Sequence, residues 1–160
     1  ITLICSPYAS SNLDIPALPQ ELYAVTDDRS KTAVLDIGGD DRGALALGRY
    51  TPAILEENNY EMLLVANRFR PLTRDVKSTL EVMREVETAS GIPFTAVVNN
   101  SNLGEETAPE DVLASVPYGQ ELSAAAGIPL KFTSVDQRLF AALKDRIPNL
   151  FPLRLQEKIK

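Results

Sequence analysis

The residues best suited to chemistry in this chain are an aspartate and two glycines at the end of an apolar run, within Thr32-Ala-Val-Leu-Asp-Ile-Gly-Gly-Asp-Asp41. An apolar run without alternation suits a central strand of a parallel sheet, covered on both faces. A carboxylate such as Asp36 at the carboxyl end of such a strand sits where open α/β sheets bind ligands. Phosphate chemistry uses that arrangement. A carboxylate holds Mg²⁺ through its water shell, and the backbone N–H groups of Gly38 and Gly39 can approach a phosphate closely. The alternative is that Asp36 merely closes a strand and the glycines make a turn.

Two more segments carry polar groups after apolar runs: Asn67-Arg-Phe-Arg-Pro-Leu-Thr73 and Asn99-Asn-Ser-Asn102. In a parallel sheet they would share one edge with Asp36. The carboxamides of Asn99 and Asn100 offer both a donor and an acceptor to a purine edge, although asparagine also populates turns by bonding to its own backbone. Asn99-Asn-Ser101 also fits a glycosylation sequon, a coincidence in a chain with a cytosolic look. Arg68 and Arg70 are able to reach a phosphate or a carboxylate, or simply to face water. Asp40 and Asp41 either polarise a water or open the following helix. Cys5 reads as a small apolar packing residue.

The elements that would position these groups alternate between strand-like and helix-like, the pattern of an α/β domain with a parallel sheet. Strands are expected over Ile1–Cys5, Thr32–Ile37, Glu61–Ala66, Phe94–Val98 and Leu130–Thr133, with Phe151–Leu155 as an edge strand or an arm. An irregular loop over Ser6–Gln20 and a short helix over Pro19–Val25 precede the second strand. Ala44–Leu55 should be helical, with a break near Pro52. A helix capped by Thr73 carries Val76, Leu80, Met83 and Val86 as one stripe and stops at Gly91. Thr107-Ala-Pro-Glu110 reads as a capping box opening a helix to about Ala126, ended by Gly127. Ser134-Val-Asp-Gln137 reads as a second capping box, opening a helix to about Asp145. No repeat or linker divides the chain, so a single domain over residues 1–160 is expected.

Composition narrows the chemistry. The chain has 160 residues, 44% apolar and 24% charged, which suits one soluble domain with a sizeable core. A net charge of −6 with no basic block argues against a nucleic-acid phosphate track. The apolar runs are strand-sized, so no membrane span is expected. One cysteine rules out an internal disulfide and fits a reducing, cytoplasmic compartment. With no histidine, the chain cannot itself supply a Ser-His-Asp or Cys-His centre or a histidine-ligated zinc. Carboxylates, Arg/Lys, backbone N–H groups and a bound ion are left to carry any reaction. No G-x-x-x-x-G-K-[ST] phosphate loop and no G-x-G-x-x-G after a strand is present. The first residue, Ile1, falls inside a strand-like run, so a longer parent is expected.

Jointly, these segments resemble a known family. Val34-Leu-Asp-Ile-Gly-Gly-Asp-Asp-Arg-Gly43 looks like the second nucleotide motif and switch of the ParA/MinD/CobQ-like P-loop ATPases. The chain is similar, more closely, to a group of uncharacterised bacterial ATP-binding proteins in that class. They share the Asp36–Asp40 switch, the Asn67…Arg70-Pro-Leu-Thr73 segment, Asn99-Asn100…Glu106-Thr-Ala108, and the look of Leu13–Pro19. The likeness runs from about residue 12 to about residue 153.

The resemblance implies a three-layer, mainly parallel sheet with helices on both faces, here the carboxy-terminal part lacking its first strand and phosphate loop. It implies ATP and Mg²⁺ as cofactors. Asp36 would support the metal, and Gly39 would offer its N–H to the γ-phosphate and report hydrolysis. Asn99, with Asn100, would face the adenine, and Thr133-Ser134-Val135 would line the base pocket. Without the phosphate-loop strand, another chain (a second copy or a missing amino-terminal segment) would fill the gap, or the sheet would close over it. Two functions follow: an ATP-hydrolysing switch protein in its parent form, or a non-catalytic interaction module on the same scaffold.

Overall fold

The computed structural model describes Thr2, Ile4, Asp28, residues 30–38 and residues 41–154. The expected strand Ile1–Cys5 falls largely outside these residues. The Ser6–Gln20 loop, the Pro19–Val25 helix, Gly39 and Asp40 lie wholly outside them. The chain forms two compact units, residues 1–60 with 84–93, and residues 61–83 with 94–160.

In the first unit, α1 (Asp41–Leu45) runs into a 3₁₀ turn over Ala46–Arg49, and α2 spans Thr51–Glu57. The expected break near Pro52 falls at Tyr50, because Pro52 sits in the first turn of α2, where its missing N–H costs nothing. Ala44, Leu47 and Tyr50 are buried. The Thr51 hydroxyl donates to the Ser90 carbonyl at 2.6 Å, and Gly91 closes that contact at φ +70°. A side chain at Gly91 would be strained there and would meet the Thr51 methyl at 3.3 Å.

Thr32–Ile37 is not a strand. Its residues have no regular secondary structure, and Val34 is 94% exposed. β-branched and apolar residues favour a strand only when a neighbouring strand accepts their ladder hydrogen bonds. Thr32–Gly38 make no hydrogen bond among the described residues.

The second unit carries the sheet. Strands β1 (Leu63–Ala66), β2 (Ala96–Asn99), β3 (Leu130–Asp136) and β4 (Leu150–Leu153) pair in the order β1-β2-β3-β4, all parallel. Helix α3 (Val76–Ser90) follows β1, α4 (Pro109–Ala126) follows β2, and α5 (Gln137–Leu143) follows β3. This is an α/β fold. Helices α4 and α5 pack together against the sheet. The contacts agree: Val112 of α4, Val135 of β3, and Leu139 and Leu143 of α5 form one buried cluster with Ile147. The Tyr118 hydroxyl of α4 lies 2.9 Å from Thr79 Oγ1 at the start of α3.

Local chemistry sets the boundaries. Helix α3 is capped by Asp75, whose Oδ1 accepts from the Ser78 N–H at 2.9 Å, not by Thr73. Thr73 instead donates its hydroxyl to the Asn67 carbonyl at 2.6 Å and closes the preceding loop. The cap of α4 is Ala108: its N–H is taken by Asp111 Oδ2 at 2.9 Å, while Thr107 bonds within the loop. Gly127 ends α4 at φ 70°. Ser134 does not open a helix. It lies inside β3, and Asp136 caps α5 by accepting the Arg138 N–H at 3.0 Å. Phe151 sits in β4 as an edge strand and stacks on Phe132 with ring centres 5.0 Å apart.

No helix among the described residues is long and apolar enough to cross a membrane.

Candidate functional site

Because every pairing is parallel, β1, β2 and β3 deliver their carboxyl ends to one rim. Asn67, Asn99 to Asn102, and Ser134 to Asp136 follow at those ends. Parallel sheets place ligand groups on this rim, since the loops there are free to diverge from the core.

Asn99 is 0% exposed and points at α4. Its Nδ2 donates to the Ser115 carbonyl at 3.2 Å and to Ser115 Oγ at 2.9 Å. Its Oδ1 accepts from the Ser101 N–H at 3.3 Å and from Ser101 Oγ at 2.7 Å. Gly119 makes this approach possible, because a Cβ there would sit 3.0 Å from Asn99 Cβ. The carboxamide expected to face adenine is thus committed to the interior, and turning it to a base would break each of these bonds.

The turn of α4 that receives Asn99 is loosened by Pro117, which lacks the N–H for the Leu113 carbonyl. Side chains occupy neighbouring carbonyls there. Ser115 Oγ donates to Val112 O at 2.7 Å, and Arg68 Nη1 donates to Ala114 O at 2.6 Å. Arg68 therefore bolts the β1 loop to α4 instead of waiting for a phosphate. Arg70 has no side-chain partner among the described residues and is exposed.

Asn100 is placed differently. Its Oδ1 accepts from Ser134 Oγ at 2.6 Å and from Asn102 Nδ2 at 3.3 Å, while its Nδ2 has no protein partner among the described residues. With the oxygen held by two donors, the amide is fixed with its N–H groups free. Asn100, Asn102, Thr107, Ser134, Asp136 and Leu153 all line a small cleft of about 30 Å³. That is room for roughly two waters. A purine would have to lie across the mouth.

Asp136 and Arg138 close one side. Arg138 Nε meets Asp136 Oδ2 at 3.1 Å, and Nη2 donates to the carbonyls of Glu105 and Thr107, each at 2.7 Å. The Arg138 backbone N–H, then its guanidinium, hold the Asp136 carboxyl below its ordinary pKa. The loop across the cleft is equally determined. Thr107 Oγ1 accepts from the Leu103 N–H at 2.8 Å, and Asn102 Oδ1 accepts from the Gly104 N–H at 3.1 Å.

The structure thus brings together Asn99, Asn100 and Ser134. Asp36 and Gly38 belong to the other unit, both exposed. No cluster of three metal-ligating side chains occurs among the described residues. Sequence reasoning missed the latch made by Arg138, whose spacing from the Glu105–Thr107 loop carries no signal. It singled out the Asn67 segment without seeing its partner, Asn102.

No family model, curated protein or solved structure matches this chain.

Proposed function

We propose that the chain is the carboxy-terminal part of an ATP-binding, ATP-hydrolysing switch protein of the ParA/MinD/CobQ-like class. Its scaffold would be a three-layer, P-loop-type sheet. The observation that supports this reading most is the pairing of Asn100 with Ser134 at 2.6 Å on the carboxyl rim of a wholly parallel sheet. That pairing leaves an unpaired amide donor at the mouth of the cleft. In this reading the donor meets an acceptor on the base, and Asn99 supports the rim from beneath.

Asp36 would hold Mg²⁺, whose role when bound is to neutralise charge on the phosphates. Gly38 and Gly39 would present backbone N–H groups to the γ-phosphate, and hydrolysis would be in-line attack by water governed by positioning. The phosphate loop and its lysine would come from residues beyond these 160. The chain alone therefore binds nucleotide weakly and does not turn it over.

Titration of the ¹⁵N-labelled chain with Mg²⁺-ATP tests this. Shifts at the Asn100 side-chain N–H₂ and the Ser134 backbone together with the Gly38 and Gly39 amides, at millimolar affinity, support it. No shift at saturating millimolar nucleotide, or shifts unaffected by Asn100→Ala, would overturn it. Tight micromolar binding would remove the need for an external phosphate loop.

A second reading, a non-catalytic interaction module, is favoured by the apolar surface at Val34, 94% exposed, and Leu35, 38% exposed.

A further inference from the structure

Two stretches of chain bound the small cleft on the carboxyl rim. One is the loop after β2, with Asn102, Gly104 and Thr107, and the other is the end of the sheet, with Ser134, Asp136 and Leu153. The loop is fastened at both ends. Asn102 is bonded through its backbone to Asn67, and Thr107 runs directly into the Ala108 cap of α4. Between those ends the loop bonds to itself. The Leu103 N–H donates to Thr107 Oγ1 at 2.8 Å, and the Thr107 hydroxyl and N–H donate to the Gly104 carbonyl at 2.7 and 3.2 Å. A loop bonded in this way keeps its internal shape while it tilts about its ends. Its tip, residues 103–106, is exposed.

One guanidinium spans from the end of β3 to this loop. Arg138, in the first turn of α5, donates Nη2 to the Glu105 and Thr107 carbonyls, each at 2.7 Å, while Nε holds Asp136 Oδ2 at 3.1 Å. Both carbonyls are neutral, so their bonds are weaker than a guanidinium–carboxylate pair. The Arg138 side chain is 47% exposed, so water is at hand to replace either carbonyl. The Asp136 bond does not cross the cleft. It survives that exchange and keeps the guanidinium in place for reclosure.

We propose that residues 103–107 are a flap over the cleft and that Arg138 is its latch. Closed, the cleft has room for about two waters. With the bonds to the Glu105 and Thr107 carbonyls broken, the flap tilts away from the sheet and the cleft admits a larger molecule. The motion belongs to the unliganded chain and does not rest on the nucleotide reading, and its readout needs no nucleotide.

Paramagnetic relaxation of methyl groups by the soluble nitroxide TEMPOL, measured on the full methyl-labelled chain, tests it. Val112 and Val135 line the cleft and are buried, whereas Val97 and Leu143 are buried away from it. In Arg138→Ala the relaxation enhancement at Val112 and Val135 should rise several-fold, with Val97 and Leu143 unchanged. Arg138→Lys keeps the charge but lacks the fork that serves Asp136 and both carbonyls together, so its rise should be smaller. Circular dichroism should show both variants folded, because the side chain is half exposed. An enhancement at Val112 and Val135 that stays at the wild-type level in both variants would overturn the proposal. So would a rise shared equally by Val97 and Leu143, which would make Arg138 a support of the whole fold and not a latch.

Discussion

The Asn67 carboxamide is bonded to the backbone of Asn102 from both sides: its Nδ2 donates to the Asn102 carbonyl at 3.0 Å, and its Oδ1 accepts the Asn102 N–H at 3.3 Å. The side chain acts as one more peptide group beyond the end of β1. The same Oδ1 also accepts the Phe69 N–H at 3.0 Å, so one residue fixes the exits of two strands.

Asn67→Ala should therefore destabilise the chain by about 1–3 kcal/mol, the cost of leaving partly buried backbone groups without partners. Asn67→Asp should be no better, because its second oxygen faces the Asn102 carbonyl. Urea unfolding followed by circular dichroism measures both. A change below a few tenths of a kcal/mol would show that water replaces the amide.

Gly119→Ala should also destabilise. Alanine improves helix propensity by about 1 kcal/mol, but the added methyl presses on Asn99 Cβ, and overpacking of a rigid site costs about 1–3 kcal/mol. Asn99 has nowhere to go, since its strand and both ends of its amide are fixed. The added methyl would meet Asn99 Cβ at 3.0 Å, Nδ2 at 3.3 Å and Cγ at 3.4 Å, so Asn99→Ala should relieve the contact in part and Asn99→Gly more fully. A double-mutant cycle reads the coupling directly.

Asp136 links the helix cap to acid stability. Its pKa lies below the ordinary 3.8, chiefly through the Arg138 backbone N–H and then the guanidinium. A depressed pKa means that the carboxylate's contribution is complete above the unfolded value and is lost as pH falls through the folded one. Asp136→Asn should consequently reduce stability at neutral pH and flatten its decline below about pH 4. Denaturation midpoints measured from pH 7 to pH 3 test this, and parallel curves for the two proteins would exclude it.

Tyr118 couples stability to alkaline pH. Its hydroxyl donates to the Thr73 carbonyl at 2.9 Å, and burial raises its pKa above the ordinary 10.0. The folded state therefore holds this proton longer, so its stabilising effect is complete below pH 10 and is lost as pH rises through the folded value. Tyr118→Phe should cost about 1 kcal/mol at neutral pH and remove that decline. Ultraviolet titration of the phenolates should show one fewer late-titrating group in the variant.

Much of the second unit was readable from pattern. The apolar runs at Glu61–Ala66 and Phe94–Val98 became β1 and β2, and Gly91 and Gly127 stop helices because both hold positive φ. What pattern misread was polar side chains with more than one available partner. Thr73, Thr107 and Ser134 each satisfy a cap motif locally, yet each bonds instead to a loop or to a neighbouring residue that sequence distance hides. Asp75 and Asp136, ordinary carboxylates two residues further along from Thr73 and Ser134, do the capping. Asn99 looked like a ligand residue for the same reason: an amide after a strand suits a base or a helix equally, and only Gly119 reveals which.

The unbroken strand order of the sheet bears on how the chain is made. Among the described strands, each lies beside the one synthesised just before it, and none is inserted between two already in place. Docking can thus proceed in the direction of translation, with every strand-and-helix segment adding to a finished border as it leaves the ribosome.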